Sequence, residues 1–137
     1  LHAALGRCQL RKLADNNARR RQVVAIYHKA LSALDGWIIP FANYSGDSAC
    51  HLSVVVAPDT NTRECVVTHL RDVGIQTSLH YPCVPGFDTF HRFAAGGIDR
   101  CQAFASRAIT LPLFPTMTVD QVDETCRQLA IAIGQYK

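Results

Sequence analysis

Gly74-Ile75-Gln76-Thr77-Ser78-Leu79-His80-Tyr81-Pro82 is the stretch that decides how this chain reads. A glycine that closes a helix passes directly into an alternating run, and the run ends in a polar pair at a proline turn. Glycine takes the left-handed backbone that terminates helices without a Cβ penalty. Beyond it, Ile75, Thr77, Leu79 and Tyr81 share one face of a strand, while Gln76, Ser78 and His80 share the other. The pattern predicts a helix up to Val73, a strand over 75–81 and then a loop.

Working upstream, the helix before Gly74 spans about 61–73. Asn61 and Glu64 are spaced as a capping box, and Val66, Leu70 and Val73 form its apolar stripe. Before it, Cys50 to Ala57 reads as a strand with Leu52, Val54 and Val56 on one face and His51, Ser53 and Val55 on the other. A polar loop over 43–48 precedes that strand, and Trp37 to Phe41 reads as a short edge strand, since Pro40 cannot donate to a ladder. Residues 3–34 carry one helical pattern through Leu10, Leu13, Val24, Tyr27, Leu31 and Leu34, closed by Gly36. Such a helix runs ~45 Å, more than a small domain needs, so it bridges two bodies or packs on something further. Its apolar stripe is therefore expected to be covered by a neighbour, through self-association.

Downstream, two prolines and three glycines make 82–97 a loop, with Phe87, Phe90 and Phe93 as its anchors to the body. A helix over 98–107 buries Cys101, Phe104 and Ala105, and an extended piece runs from Ala108 to Leu113. Thr118 and Gln121 form a capping box, Met117 and Val122 a hydrophobic staple, and Val122, Cys126, Leu129 and Ile133 a buried stripe. The fold class that follows is α+β: a small, mostly antiparallel sheet with helices packed on one face, preceded by a long N-terminal helix. The domain division is 1–36 for the connecting helix and 37–137 for the α/β sandwich.

Composition narrows the function. The chain has 137 residues, 48% of them hydrophobic, and a formal charge of +3, so neither nucleic acid nor a membrane is called for as a partner. Six cysteines are spread over the chain, most at helical positions, which reads as free thiols in a reducing, cytoplasmic compartment. Cys65 with His69, or His80 with Cys83, gives two zinc ligands at most where four are needed. Cys83 beside His80 lacks the third group that orients a catalytic pair. Arg19, Arg20 and Arg21 point about 100° apart on a helix and read as a solvated face. Gly96-Gly97 before a helix is a flexible loop rather than a phosphate cradle. No metal site and no catalytic residue is assigned. His80 and Tyr81 remain, two polar tips delivered at a sheet rim.

Four segments in order also resemble one family. Ala3-Ala4-Leu5-Gly6 with Asn17-Ala18-Arg19-Arg20-Arg21, His51-Leu52 before the valine run, Gly74 to Pro82, and Leu111-Pro112-Leu113-Phe114-Pro115 are similar to segments of the DegT/DnrJ/StrS sugar aminotransferases. The similarity is to their C-terminal small domain alone, the small domain of a fold-type I aminotransferase. After Pro82 the chain departs from the family, with Cys83-Val84-Pro85-Gly86-Phe87 where more prolines and a second histidine are usual.

The resemblance implies an enzyme, dimeric in the family, that uses pyridoxal phosphate to move an amino group, usually from glutamate, onto a nucleotide-linked keto-sugar. The cofactor carries that chemistry and the protein positions it. The family's Schiff-base lysine lies in the large domain, and Lys12, Lys29 and Lys137 match no such context. The chain is thus expected to be a piece of a longer parent, to bind no cofactor alone and to be inactive alone. Its share of the work would be a wall of the substrate cleft and dimer contacts, with His80, Tyr81 and His51 as substrate-binding residues. The alternative is a free-standing, self-associating binding module.

Overall fold

A computed structural model describes residues 1–93 and 96–135. Positions 94 and 95 of the expected loop, and Lys137, lie outside the described residues. Among the described residues, five α-helices and two strands follow in the order α1 (His2–Leu31), β1 (Ser53–Val56), α2 (Thr60–Asp72), α3 (Asp88–His91), α4 (Asp99–Ala105), β2 (Ala108–Leu111) and α5 (Val119–Gln135). A 3-10 turn at Val84–Gly86 precedes α3.

The sheet is antiparallel. β1 pairs with β2 in the register Ser53–Leu111, Val54–Thr110, Val55–Ile109, Val56–Ala108. Single bridges extend it on both edges, Ile38 to Val56 on one side and Ser78 to Thr110 on the other. The stretches 37–41 and 75–81, expected as strands, therefore each contribute one bridged residue. Pro40 and the turn after it cut the first short. In the second, Ser78 and Thr110 exchange both backbone hydrogen bonds, at 3.1 and 2.8 Å, and the chain leaves the ladder on either side.

Helices cover one face. Val55, Ile109 and Leu111 point into a core with Val23, Tyr27 and Leu31 of α1, Val66 and Leu70 of α2, and Val122, Leu129 and Ala132 of α5. Burial of such side chains stabilises by about 1.5–3 kcal/mol each. Only the second half of α1 takes part, since every residue from 1 to 15 is exposed. Tyr27 ties this half to the sheet, its hydroxyl donating to the Pro112 carbonyl at 2.9 Å.

The helix ends show local chemistry at work. α2 is capped by Asp59, not by the Asn61–Glu64 box: the Asp59 carboxylate accepts from the Thr62 amide at 2.8 Å and the Thr62 hydroxyl at 2.7 Å. Asp59 sits in extended backbone just after Pro58, which puts its carboxylate within reach of the first turn. Those hydrogen bonds hold its carboxyl below the usual range. At the other end, Gly74 has φ +81°, its amide bonds Arg71 O at 3.0 Å, and Ile75 N bonds Leu70 O at 2.7 Å, a Schellman motif. Thr118 and Gln121 form the expected capping box, at 3.0 and 3.3 Å.

Several side chains depart from expectation. Val73 is exposed because α2 ends at Asp72 and Val73, its C-cap, has left the helical stripe. Cys101 and Phe104 are exposed on α4, and only Ala105 of the expected trio is buried. Phe87, Phe90 and Phe93 are exposed rather than anchoring their loop. Arg20 and Arg21 are not merely solvated: they donate to Ala49 O at 3.0 Å and Ser48 O at 3.3 Å, which clamps the 43–50 loop onto α1.

Candidate functional site

The segment that delivers His80 is tied to β1 through β2, since Ser78 pairs with Thr110 of β2 and Thr110 pairs with Val54 of β1. His51, just ahead of β1, and His80 thus come to line one open cleft of about 530 Å³. Its other walls are Gly74–Ser78, the Leu111–Phe114 segment after β2, and Met117, Gln121 and Thr125 at the start of α5. None of its lining residues is Asp, Glu, Lys or Arg. The cleft offers neutral hydrogen-bonding groups set in apolar surface, as small-molecule sites commonly do.

Within it, the Ser78 hydroxyl lies 3.1 Å from Nδ1 of His80. Thr110 Oγ1 is buried with no hydrogen-bond partner among the described residues. Tyr81 packs edge-on against the His80 ring, centroids 5.1 Å apart at 84°. It is 68% exposed and lines neither this cleft nor the next. Of the three expected site residues, then, His51 and His80 share a cleft and Tyr81 stands at its rim.

A second cleft of about 560 Å³ shares His80 and Leu52 with the first. Here Arg21 and His28 of α1 face Phe41, Tyr44 and Phe104. Phe41, two residues before the clamped loop, and Cys50, at its end, hold φ of 60° and 45°, a left-handed region that costs a residue with a Cβ about 1–2 kcal/mol.

The remaining candidates resolve differently. Cys83 meets Cys101, and the hydrogen bond to that thiol, followed by burial, pushes the Cys83 thiol up, the wrong direction for a nucleophile. His69 is engaged by Gln128, at 2.8 Å, across α2 and α5, so it does not join Cys65 as a ligand pair. Among the described residues, no three His, Cys, Asp or Glu side chains group to hold a metal ion. No helix there is long and apolar enough to cross a membrane.

Ser78 and Thr110 were not singled out by sequence reasoning. The alternation of 75–81 already places Ser78 on the face of His80, and that signal was sufficient. Nothing in the sequence signals Thr110, whose position depends on strand pairing.

Comparison with known proteins follows the same lines. A model of the DegT/DnrJ/EryC1/StrS aminotransferase family matches residues 1–130. The spore coat polysaccharide biosynthesis protein SpsC of Bacillus subtilis (strain 168) is 32% identical over 131 residues, covering 90% of this chain and 34% of SpsC. Among solved structures, DesV of S. venezuelae in complex with a ketimine intermediate superposes with a TM-score of 0.85 at 28% identity, covering 95% of this chain and 35% of DesV. NtdA from Bacillus subtilis with bound cofactor PMP gives a TM-score of 0.75 at 25% identity, covering 88% and 29%. The chain spans about a third of the length of these relatives.

Proposed function

The chain belongs to the DegT/DnrJ/EryC1/StrS aminotransferase family, and from that premise we propose that it is the C-terminal small domain of a nucleotide-sugar aminotransferase. In this reading residues 1–36 connect it to the rest of the enzyme and 37–137 form the domain proper. Its task is to bind and orient the sugar, with His80 and His51 in the cleft wall and Tyr81 at the rim. The exposed first half of α1 packs against the large domain or a second copy in a cytoplasmic dimer.

Pyridoxal phosphate would serve the whole enzyme, where it acts as the electron sink of amino transfer. The described residues do not fit that cofactor. Its Schiff base needs a lysine, and neither Lys12 nor Lys29 lines either cleft. In this reading the chain by itself carries no step of the chemistry.

The observation that supports the reading best is that His51 and His80, 29 positions apart in sequence, line one cleft that has no Asp, Glu, Lys or Arg in its wall. Neutral donors and acceptors match the hydroxyls of a sugar ring. The test is His80→Ala in the longer enzyme. The sugar half of the reaction should lose tenfold or more in kcat/KM, which is about 1.4 kcal/mol or more of binding to the transition state. The half-reaction with the amino donor should be unchanged. Equal losses in both halves, or none in either, would refute the assignment.

A further inference from the structure

We propose that Ser78 is a positioning residue that fixes His80 as a hydrogen-bond donor toward its ligand: the Ser78 hydroxyl donates to Nδ1, so the ring proton stays on Nε2. The partner of His80 is then an acceptor oxygen, and the histidine holds the ligand rather than taking a proton from it. The identity of that ligand rests on the function proposed above; the tautomer does not.

The argument is geometric. Ser78 Oγ lies 3.1 Å from His80 Nδ1, and a neutral imidazole has one donor nitrogen and one acceptor. The tautomer is set by whatever the other nitrogen bonds. No carboxylate or backbone carbonyl accepts from Nδ1 among the described hydrogen bonds, and the Ser78 hydroxyl has no acceptor there besides the ring. An imidazole nitrogen is a much better proton acceptor than a hydroxyl oxygen, so the bond runs from O–H to N. That leaves Nε2–H as the free polar group of a side chain lining both clefts.

The serine is itself held. Its amide donates to Thr110 O at 3.1 Å, and its carbonyl accepts from Thr110 N at 2.8 Å. The chain leaves the ladder just after Ser78, and its turn brings the His80 ring back to the Ser78 hydroxyl. Tyr81 packs edge-on against the same ring, with centroids 5.1 Å apart. The orientation of His80 thus passes from the central sheet through the Thr110 backbone and the Ser78 side chain to the ring. The serine is a positioning residue by this geometry, since nothing requires it to touch the ligand.

The experiment reads the tautomer directly, on the whole chain and with no ligand present. Histidine is labelled with nitrogen-15, and long-range proton–nitrogen spectra in mildly alkaline buffer separate protonated from bare ring nitrogens; His80→Gln identifies the signals by their loss. The wild type should show a protonated Nε2 and a bare Nδ1. Ser78→Ala should shift the population by about tenfold toward a mixture, the bias one hydrogen bond supplies, with the other five histidines unmoved. Ser78→Thr, which keeps the hydroxyl and suits an edge strand, should restore the wild-type pattern. A proton on Nδ1 in the wild type overturns the proposal whatever the variants do, and so does a Ser78→Ala spectrum that matches the wild type. Should His80→Ala leave the sugar half-reaction intact, the proposed function falls while this assignment stands.

Discussion

Tyr27→Phe removes one oxygen atom at the junction between α1 and the cleft, and its consequences can be worked through. Tyr27 is fully buried. Its hydroxyl donates to Pro112 O at 2.9 Å, with the Met117 sulfur at 3.9 Å. Phenylalanine keeps the ring packing and leaves the Pro112 carbonyl without that donor. An acceptor stranded in this way costs about 1–3 kcal/mol. With a urea m-value of about 1–3 kcal/mol per molar for a domain of this size, the midpoint of unfolding should fall by roughly 1 M with m unchanged. A second arm uses pH. Burial, the largest cause, raises the Tyr27 phenol from an ordinary 10.0 to about 12. The unfolded chain therefore loses this proton first. The contribution of the neutral phenol is complete below pH 10.0 and is lost as pH rises toward about 12. That window is worth at most about 2–3 kcal/mol, and phenylalanine cannot show it. The stability gap between wild type and variant should therefore close across the window. A midpoint shift under about 0.3 M at neutral pH, or a gap that stays constant in alkali, would refute the reasoning.

Two further predictions concern the backbone and the surface. Gly74→Ala and Gly36→Ala place a Cβ at φ +81° and +77° and should each cost about 1–2 kcal/mol in urea unfolding. Gly6→Ala lies inside α1, where a Cβ would meet nothing within 4 Å, and should raise the helical signal in circular dichroism; the same sign at all three positions would be a contradiction. On α5, the hydrogen bond from Arg127, then that from Gln128, lowers the Glu124 carboxyl from 4.5 to about 2. Its contribution is present above pH 4.5 and fades as pH falls toward about 2, so Arg127→Met should weaken the acid dependence of stability in that range. Identical acid profiles for the two proteins would show that this exposed pair contributes nothing.

The helices were legible because their signals are local. Gly74 after an apolar stripe, and Thr118 three residues before Gln121, each specify a helix end within one turn of chain, and both ends lie where the spacing puts them. Asp59 against Asn61 shows the limit of local spacing: both residues cap well, and the choice falls to Asp59, which lies in extended backbone ahead of the first turn. Strands were overextended for a related reason. Alternation reports which side chains could share a face, but not how many residues find a partner. Over 75–81 only Ser78 does. Phe87, Phe90 and Phe93 misled because apolar character says that a side chain gains from burial, not that the body it meets is within reach. The cleft itself was half visible. Sequence picked out His51 and His80 separately, but their meeting depends on the spatial order of β1, β2 and Ser78, which no local pattern encodes.

α1 makes the strongest case that this fold is built to be joined. Its character changes near Asn16–Arg21, where the clamp on the 43–50 loop begins and, just beyond, Val23 enters the core. Before that point fifteen residues run exposed, about 22 Å of helix at 1.5 Å per residue. A free segment of that length is marginal in water. Two things sustain it. Its residues are mostly strong helix formers, Ala3, Ala4, Leu5, Arg7, Gln9, Leu10, Arg11, Lys12, Leu13 and Ala14. It also continues a helix already nucleated and held by Tyr27, so it needs no nucleus of its own. Neither factor requires leucine in particular at positions 5, 10 and 13, where the side chains are 58, 69 and 46% exposed. Helix propensity alone would be served as well by lysine or glutamine at those positions. Leucines exposed along an extended, self-supporting helix fit a contact with the remainder of a longer aminotransferase, and this is the physical content of the proposal that the chain is one domain of such an enzyme.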